Sequence, residues 1–135
     1  DDTRKFVPWL IKKMLSDDQD IELTSGLQKR DFIYIDDVVS AYELVINKLT
    51  QIDSWSEFDL ASGTLTTVKD FVSELADKIE TSKSISILPR LLFGLVPYRQ
   101  NEMMEPLINN SELIDLGWYP KVSVSEGIKR VIEQY

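Results

Sequence analysis

Apolar and polar positions alternate along the chain in two distinct rhythms. In Arg4–Leu15, Phe6, Trp9, Leu10, Ile11, Met14 and Leu15 form a broad apolar face opposite Lys12 and Lys13, which predicts a helix with Pro8 in its first turn. Ile21–Gly26 alternates and ends at glycine, so it reads as a short strand. Arg30–Ile35 is aromatic and β-branched and reads as a second strand. Val38, Val39, Tyr42, Val45, Ile46 and Leu49 recur at helical spacing, predicting a helix over Val38–Leu49 with Asp37 as its N-cap. Glu57–Ser62 reads as a third strand, and Thr67–Asp70 fits a capping box opening a helix to about Ile79. Ser84–Leu88 reads as a fourth strand ending at Pro89, and Arg90–Pro106 as irregular. Ser111–Trp118 is expected to be a short helix stopped by Gly117. A Ser123/Glu126 capping box starts the last helix, with Val124, Ile128, Val131 and Ile132 inward.

Helices and strands alternate through most of this pattern. The expected class is therefore α/β, with an α+β-like character, about four short strands and about five helices. The 135 residues suit one domain, and 43% hydrophobic against 28% charged residues suits a packed core. The longest apolar run, Leu91–Pro97, is far too short to span a bilayer, which takes roughly 20 residues. Fifteen basic against 23 acidic residues give a net charge of −8, which repels nucleic acid and anionic membrane surfaces at long range. Neither is an expected partner. The charged start "DDTRK" has no apolar stretch behind it, so no signal peptide is expected and the location reads as cytoplasmic. The absence of a starting methionine reads as a piece cut from something longer.

The chemistry-bearing residues are sparse. There is no cysteine and no histidine, which removes disulfides, the usual general base and the usual transition-metal ligands. The glycines stand at 26, 63, 94, 117 and 127, so neither a glycine-rich dinucleotide loop nor a P-loop can be written. No tyrosine is followed four residues later by lysine. The acidic pairs Asp1/Asp2, Asp17/Asp18 and Asp36/Asp37 read as surface charge. No catalytic residue is assigned. Arg30 can be read locally as a surface partner of Asp31 or Asp37. Trp9, Trp55 and Trp118 read as core or edge packing, and Leu91–Pro97 as a partly exposed apolar patch.

Four stretches, in order, carry a resemblance. Arg30-Asp31-Phe32-Ile33-Tyr34-Ile35-Asp36-Asp37 and the helix after it are similar to a segment of the extended short-chain dehydrogenase/reductase family, the NAD-dependent nucleotide-sugar epimerases and dehydratases. "IELTSG" precedes it at the family's short distance. Phe58–Ala76 resembles the family's strand and following helix, with Asp59 where Asn is common and Ala61 where Gly is common. Pro97–Tyr135 resembles the family's C-terminus, with an Arg, a nearby acidic residue, Leu-Gly-Trp and a final helix. The resemblance covers nearly the whole chain.

The resemblance implies that residues 1–135 are the nucleotide-sugar-binding C-terminal part of such an enzyme, without its N-terminal Rossmann domain. It implies an epimerase, dehydratase or reductase as the parent, homodimeric and using NAD or NADP, with no cofactor expected on this chain alone. The partners it implies are a nucleotide-diphosphate sugar and that Rossmann domain. By motif position, Arg30 and Arg99 are the cationic contacts to the diphosphate. Leu23 and Ser25 lie beside the nucleotide base, Phe6 or Trp9 run near it, and Glu102 follows the second arginine. Asn109 stands where many members have Asp. The competing expectation is an autonomous acidic module that binds a protein and ignores nucleotides.

Overall fold

The computed structural model describes residues 5–16 and 19–135. Arg4, at the start of the first expected helix, and the pairs Asp1/Asp2 and Asp17/Asp18 lie outside the described residues. Among the described residues, five α-helices and four strands occur in the order α1 (Phe6–Ser16), β1 (Ile21–Leu23), β2 (Lys29–Asp31), α2 (Ile35–Asn47), β3 (Leu65–Thr67), α3 (Val68–Lys83), β4 (Leu91–Phe93), α4 (Ser111–Leu116) and α5 (Val124–Ile132). The chain divides into two units, residues 1–27 with 68–102 and residues 28–67 with 103–135.

In the first unit, β1 pairs in parallel with β4, Ile21 opposite Leu91 and Leu23 opposite Phe93. Leu10, Ile11 and Met14 of α1 and Val72, Leu75 and Ile79 of α3 are fully buried, as their helical spacing predicts. Pro8 is the third residue of α1, where its missing N–H costs nothing. Arg90 closes the other end of that helix by donating to the carbonyls of Lys13 and Met14, and to Gln19. Those carbonyls have no intrahelical donor, and a cation there meets the negative end of the dipole.

The expected strand over Ser84–Leu88 does not form. Ser84 takes a left-handed φ of 54°, and the Glu80 carboxylate accepts the N–H groups of Ile87 and Leu88 that a ladder would need. These two backbone bonds hold the Glu80 carboxyl below its ordinary value. The strand appears instead at Leu91–Phe93, inside the stretch expected to be irregular. Beyond it Leu95 and Val96 are exposed, while Leu91 is buried.

In the second unit, β2 and β3 are antiparallel, with Lys29 opposite Thr67 and Asp31 opposite Leu65. The expected strand over Arg30–Ile35 stops at Asp31, and α2 begins at Ile35 rather than Val38. Asp37 is not the N-cap. Tyr34 holds that position with extended φ and ψ and no side-chain cap, while Asp37 lies inside the first turn and is 2% exposed. Its carboxylate accepts the backbone N–H groups of Lys121 and Val122, each at 2.9 Å. A distant loop wins this carboxylate because the loop's two N–H groups would otherwise go unpaired.

The strand expected over Glu57–Ser62 does not form among the described residues. Side chains satisfy its C-terminal end: Asp31 accepts from the Ser62 and Gly63 N–H groups, and Asn110 donates to the Ala61 carbonyl at 2.9 Å. Ala41, Leu113 and Trp118 form a buried cluster, against which Leu44, Val45, Phe58 and Leu60 pack. Trp118 thus packs as expected, whereas Trp55 is 98% exposed and does not. The two short C-terminal helices end and begin as predicted. Gly117 takes φ 105° after α4, and the Ser123 hydroxyl accepts the Glu126 N–H before α5.

Helix α2 is apolar on both sides. Ala41 faces the cluster, Tyr42 is exposed at its edge, where it lines a shallow cavity with Ala41, Val45 and Leu113, and Ile35, Val39 and Ile46 are exposed. The carboxylates of Glu126 and Asp36 hold Arg130 of α5, at 2.9 and 3.3 Å, and the Glu126 hydrogen bond leads in raising its pKa.

Candidate functional site

A connected polar constellation in the first unit lies where β1 ends. The Leu23 carbonyl accepts two N–H groups, from Gly94 at 3.0 Å and Val96 at 3.1 Å. The chain then turns through Gly26, whose φ is +71°. A Cβ on this glycine would stand 2.8 Å from the Lys69 Cβ and 2.9 Å from its backbone nitrogen. Only glycine fits, and the Lys69 N–H donates to the Gly26 carbonyl at 2.9 Å. From the other strand-end loop, the Tyr98 hydroxyl accepts the Leu27 N–H at 2.9 Å and the Ser25 Oγ–H at 2.6 Å. The 23–27 turn is therefore tied to residues 94–98 by four hydrogen bonds and to α3 by one.

The residues singled out from sequence fall as follows. Ser25 is half-buried and engaged by Tyr98. Leu23 is buried, its side chain in the apolar interior and its carbonyl in the lacing just described. Arg99 is exposed, one residue past Tyr98, and its carbonyl accepts the Glu102 N–H at 3.1 Å across a tight turn in which Asn101 is left-handed. These four residues share the first unit. In that unit too, the Phe6 and Trp9 rings stack, 6.3 Å between centroids.

Arg30 stands on β2 of the second unit. Its Nη1 donates to the carbonyls of Lys29 at 2.6 Å and Met103 at 2.7 Å. The 103–105 segment is bound to β2 further, the Met104 carbonyl accepting the Lys29 N–H and Glu105 pairing with the Lys29 ammonium at 3.1 Å. Asp31 does not serve as the partner of this arginine in these bonds; its two oxygens hold Ser62 and Gly63. Asn109 accepts the Ser111 N–H before α4.

Tyr98 and Asn110 are structural anchors that pattern reading passes over. Tyr98 carries a weak signal, a polar aromatic directly before a candidate phosphate-binding arginine. Asn110 carries none, because its partner, the Ala61 carbonyl, lies far away in sequence.

The described residues do not fit a dinucleotide. A dinucleotide's pyrophosphate is seated where a strand passes through a glycine-rich turn into a helix. Here β3 runs straight into α3, and the left-handed glycines 26, 63, 94 and 117 are isolated turn residues. Among the described residues no group of three or more acidic side chains could hold a metal ion.

Comparison with known proteins bears on this arrangement. Residues 1–61 match the NAD dependent epimerase/dehydratase family. Over 134 residues the chain is 31% identical to CDP-abequose synthase of Salmonella typhimurium, covering 99% of this chain and 44% of that enzyme. The chain is a relative of the NAD-dependent epimerases and dehydratases. A second relative in that group, dTDP-D-glucose 4,6-dehydratase of Mus musculus, is 32% identical over 111 residues, 82% of this chain and 30% of the enzyme. The fold is that of the family: dTDP-glucose 4,6-dehydratase of Bacillus anthracis superposes with a TM-score of 0.76 at 18% identity, over 98% of this chain and 39% of that one. The chain spans less than half the length of the curated relatives it matches. No helix among the described residues is long and apolar enough to cross a membrane.

Proposed function

We propose that this chain is the substrate-binding portion of an NAD(P)-dependent enzyme that epimerises, dehydrates or reduces a nucleotide-diphosphate sugar. The observation that carries the reading is the match along 99% of the chain to an enzyme named for a CDP-linked sugar. In such a parent the nicotinamide cofactor carries hydride to and from the sugar, and this portion grips and orients the substrate. Arg30 and Arg99 each supply a cationic contact to the diphosphate. A guanidinium suits that task because its planar fork pairs with phosphate oxygens and keeps its charge at any physiological pH. Ser25 and the end of β1 at Leu23 lie at the nucleotide, and Glu102 holds the turn that presents Arg99. The cofactor belongs to a Rossmann domain outside these residues.

Titrating the chain with CDP, UDP, GDP and dTDP by calorimetry tests the reading. At least one is expected to bind, and Arg99→Gln is expected to weaken it about 10- to 100-fold, the loss of one charge-assisted contact. Arg30→Lys keeps the charge and removes the fork, so it separates bidentate grip from simple attraction. Mixing the purified chain with NAD(P)H and nucleotide sugars is expected to give no turnover. Failure of all four diphosphates to bind would sink the reading.

A further inference from the structure

We propose that the outer side of α2 and the segment 57–61 beside it form a docking face for the part of the parent enzyme that this chain does not span, and that this part adds a β-strand there. The assignment rests on the parent enzyme inferred above. Ile35, Val39, Tyr42 and Ile46 stand four, three and four residues apart, so they form one stripe along α2, and all four are exposed. Ala41 on the inner side is buried with Leu113 and Trp118. A helix apolar on both sides belongs between two layers, and among the described residues only one of them covers it. At Tyr42 the stripe runs into a cavity of about 180 Å³ whose other walls are Ala41, Val45, Phe58, Leu60 and Leu113. An isolated surface leucine means little, whereas an apolar stripe joined to an apolar cavity marks a contact.

The wall of that cavity carries a second observation. Glu57 and Asp59 are exposed, while Phe58 and Leu60 between and beyond them are half-buried, the alternation of a strand. Among the described residues none of the backbone N–H groups of residues 57–61 donates a hydrogen bond, and Ala61 is buried. Unpaired N–H groups along an alternating segment make an open edge where another strand adds. The length of relatives beyond the matched stretch names the occupant. The chain spans 44% of the Salmonella typhimurium synthase and 39% of the Bacillus anthracis dehydratase, so more than half of each is left to pack against this portion. A second copy of the chain fits less well. Asp36 and Glu43 border the stripe and Glu57 and Asp59 border the open edge, so self-pairing sets carboxylates against carboxylates.

Single-cysteine variants test this, because the chain has no cysteine of its own. Tyr42→Cys and Ile46→Cys are made in the 135-residue chain and in a chimera that carries this chain in place of the matched stretch of the S. typhimurium synthase. Maleimide labelling, located by peptide mass spectrometry, is expected to be at least about tenfold slower at both sites in the chimera. Lys83→Cys, at an exposed position on α3, is expected to label alike in both. Hydrogen exchange at the 58–61 amides is expected to slow by about tenfold or more in the chimera, which burial of the α2 side chains alone does not require. Equal labelling or equal exchange overturns the proposal. If the chimera does not fold, the intact synthase with cysteines at the positions aligned with Tyr42 and Ile46 decides by the same rates. Calorimetry with CDP, UDP, GDP and dTDP runs beside these. A chain that binds none of them while the face is covered in the chimera loses the substrate reading and keeps this one. A chain that binds one while the face stays open keeps the substrate reading and loses this one.

Discussion

The Trp118 indole donates to the main-chain carbonyl of Asp37 at 3.2 Å, while the carboxylate of the same aspartate holds the chain three and four residues beyond that tryptophan. The Ser40 hydroxyl accepts from the same indole at 2.9 Å. One residue in the first turn of α2 thereby fixes both ends of the link between α4 and α5. Asp37→Ala leaves two part-buried N–H groups without their partner and is expected to destabilise by about 2–4 kcal/mol, roughly 1–2 for each. An exposed N-cap would cost about 0.5–2 kcal/mol. Urea unfolding of the variant distinguishes the two.

Glu80 predicts a pH dependence. Its folded pKa lies below its unfolded value, so the stabilisation it gives is present above the unfolded value and is lost as pH falls through the folded one. Glu80→Gln is expected to be less stable than wild type at neutral pH. The gap should begin to close below about pH 4.3, the ordinary glutamate value. Thermal melts of both proteins between neutral and acid pH read this directly, and a gap that widens in acid would contradict it.

Gly26→Ala is expected to be among the most damaging single changes. The added Cβ meets the Lys69 backbone at 2.9 Å, and alanine is strained at φ +71°. A loss above about 2 kcal/mol follows from strain and overlap together. Because the turn also carries the Ser25 and Leu27 bonds to Tyr98, nucleotide binding should fall in any fraction that still folds. Calorimetry at a temperature where the variant remains folded measures this.

The outer side of α2 predicts the opposite kind of change. Ile46 and Tyr42 are exposed, so Ile46→Gln should alter stability by no more than about 0.5 kcal/mol. It should lower self-association at high concentration, since a row of large apolar side chains in water favours contact with another surface. Sedimentation velocity across a concentration series checks it.

Helices α1 and α3 were legible because each buries one face, and burial leaves a period in the sequence, whereas the apolar period that marked α2 falls largely on exposed positions. The core positions of α1 and α3 and the ends of α4 and α5 follow from spacing, Gly117 and Ser123. The strands were legible only in part: β1 opens the expected Ile21–Gly26 strand and β2 overlaps the expected Arg30–Ile35, while β3 and β4 form outside the expected strands. Each is only three residues long, which leaves little alternation to mark it. Their places are decided by which backbone groups other side chains claim. Glu80 claims Ile87 and Leu88 and so displaces a strand, and Asp31 and Asn110 do the same for the end of Glu57–Ser62. The same blindness hid the real task of Asp37, whose partners stand more than eighty residues away. At the candidate site, motif order pointed to Arg30, Arg99 and Ser25. Only coordinates join Tyr98 to Ser25, because nothing in residue type announces a hydroxyl pair separated by 73 positions.

The two units are interleaved along the chain, 1–27 and 68–102 in one, 28–67 and 103–135 in the other. No single cut frees either of them by itself, and no single stretch of gene could move one into another protein. During synthesis, residues 28–67 emerge long before their companions at 103–135. The antiparallel pairing of β2 with β3 lies wholly inside the early stretch and can form before residues 103–135 emerge. Residues 103–135 close a unit begun 75 residues earlier, so a chain broken before Met103 leaves the second unit open while both stretches of the first are already present.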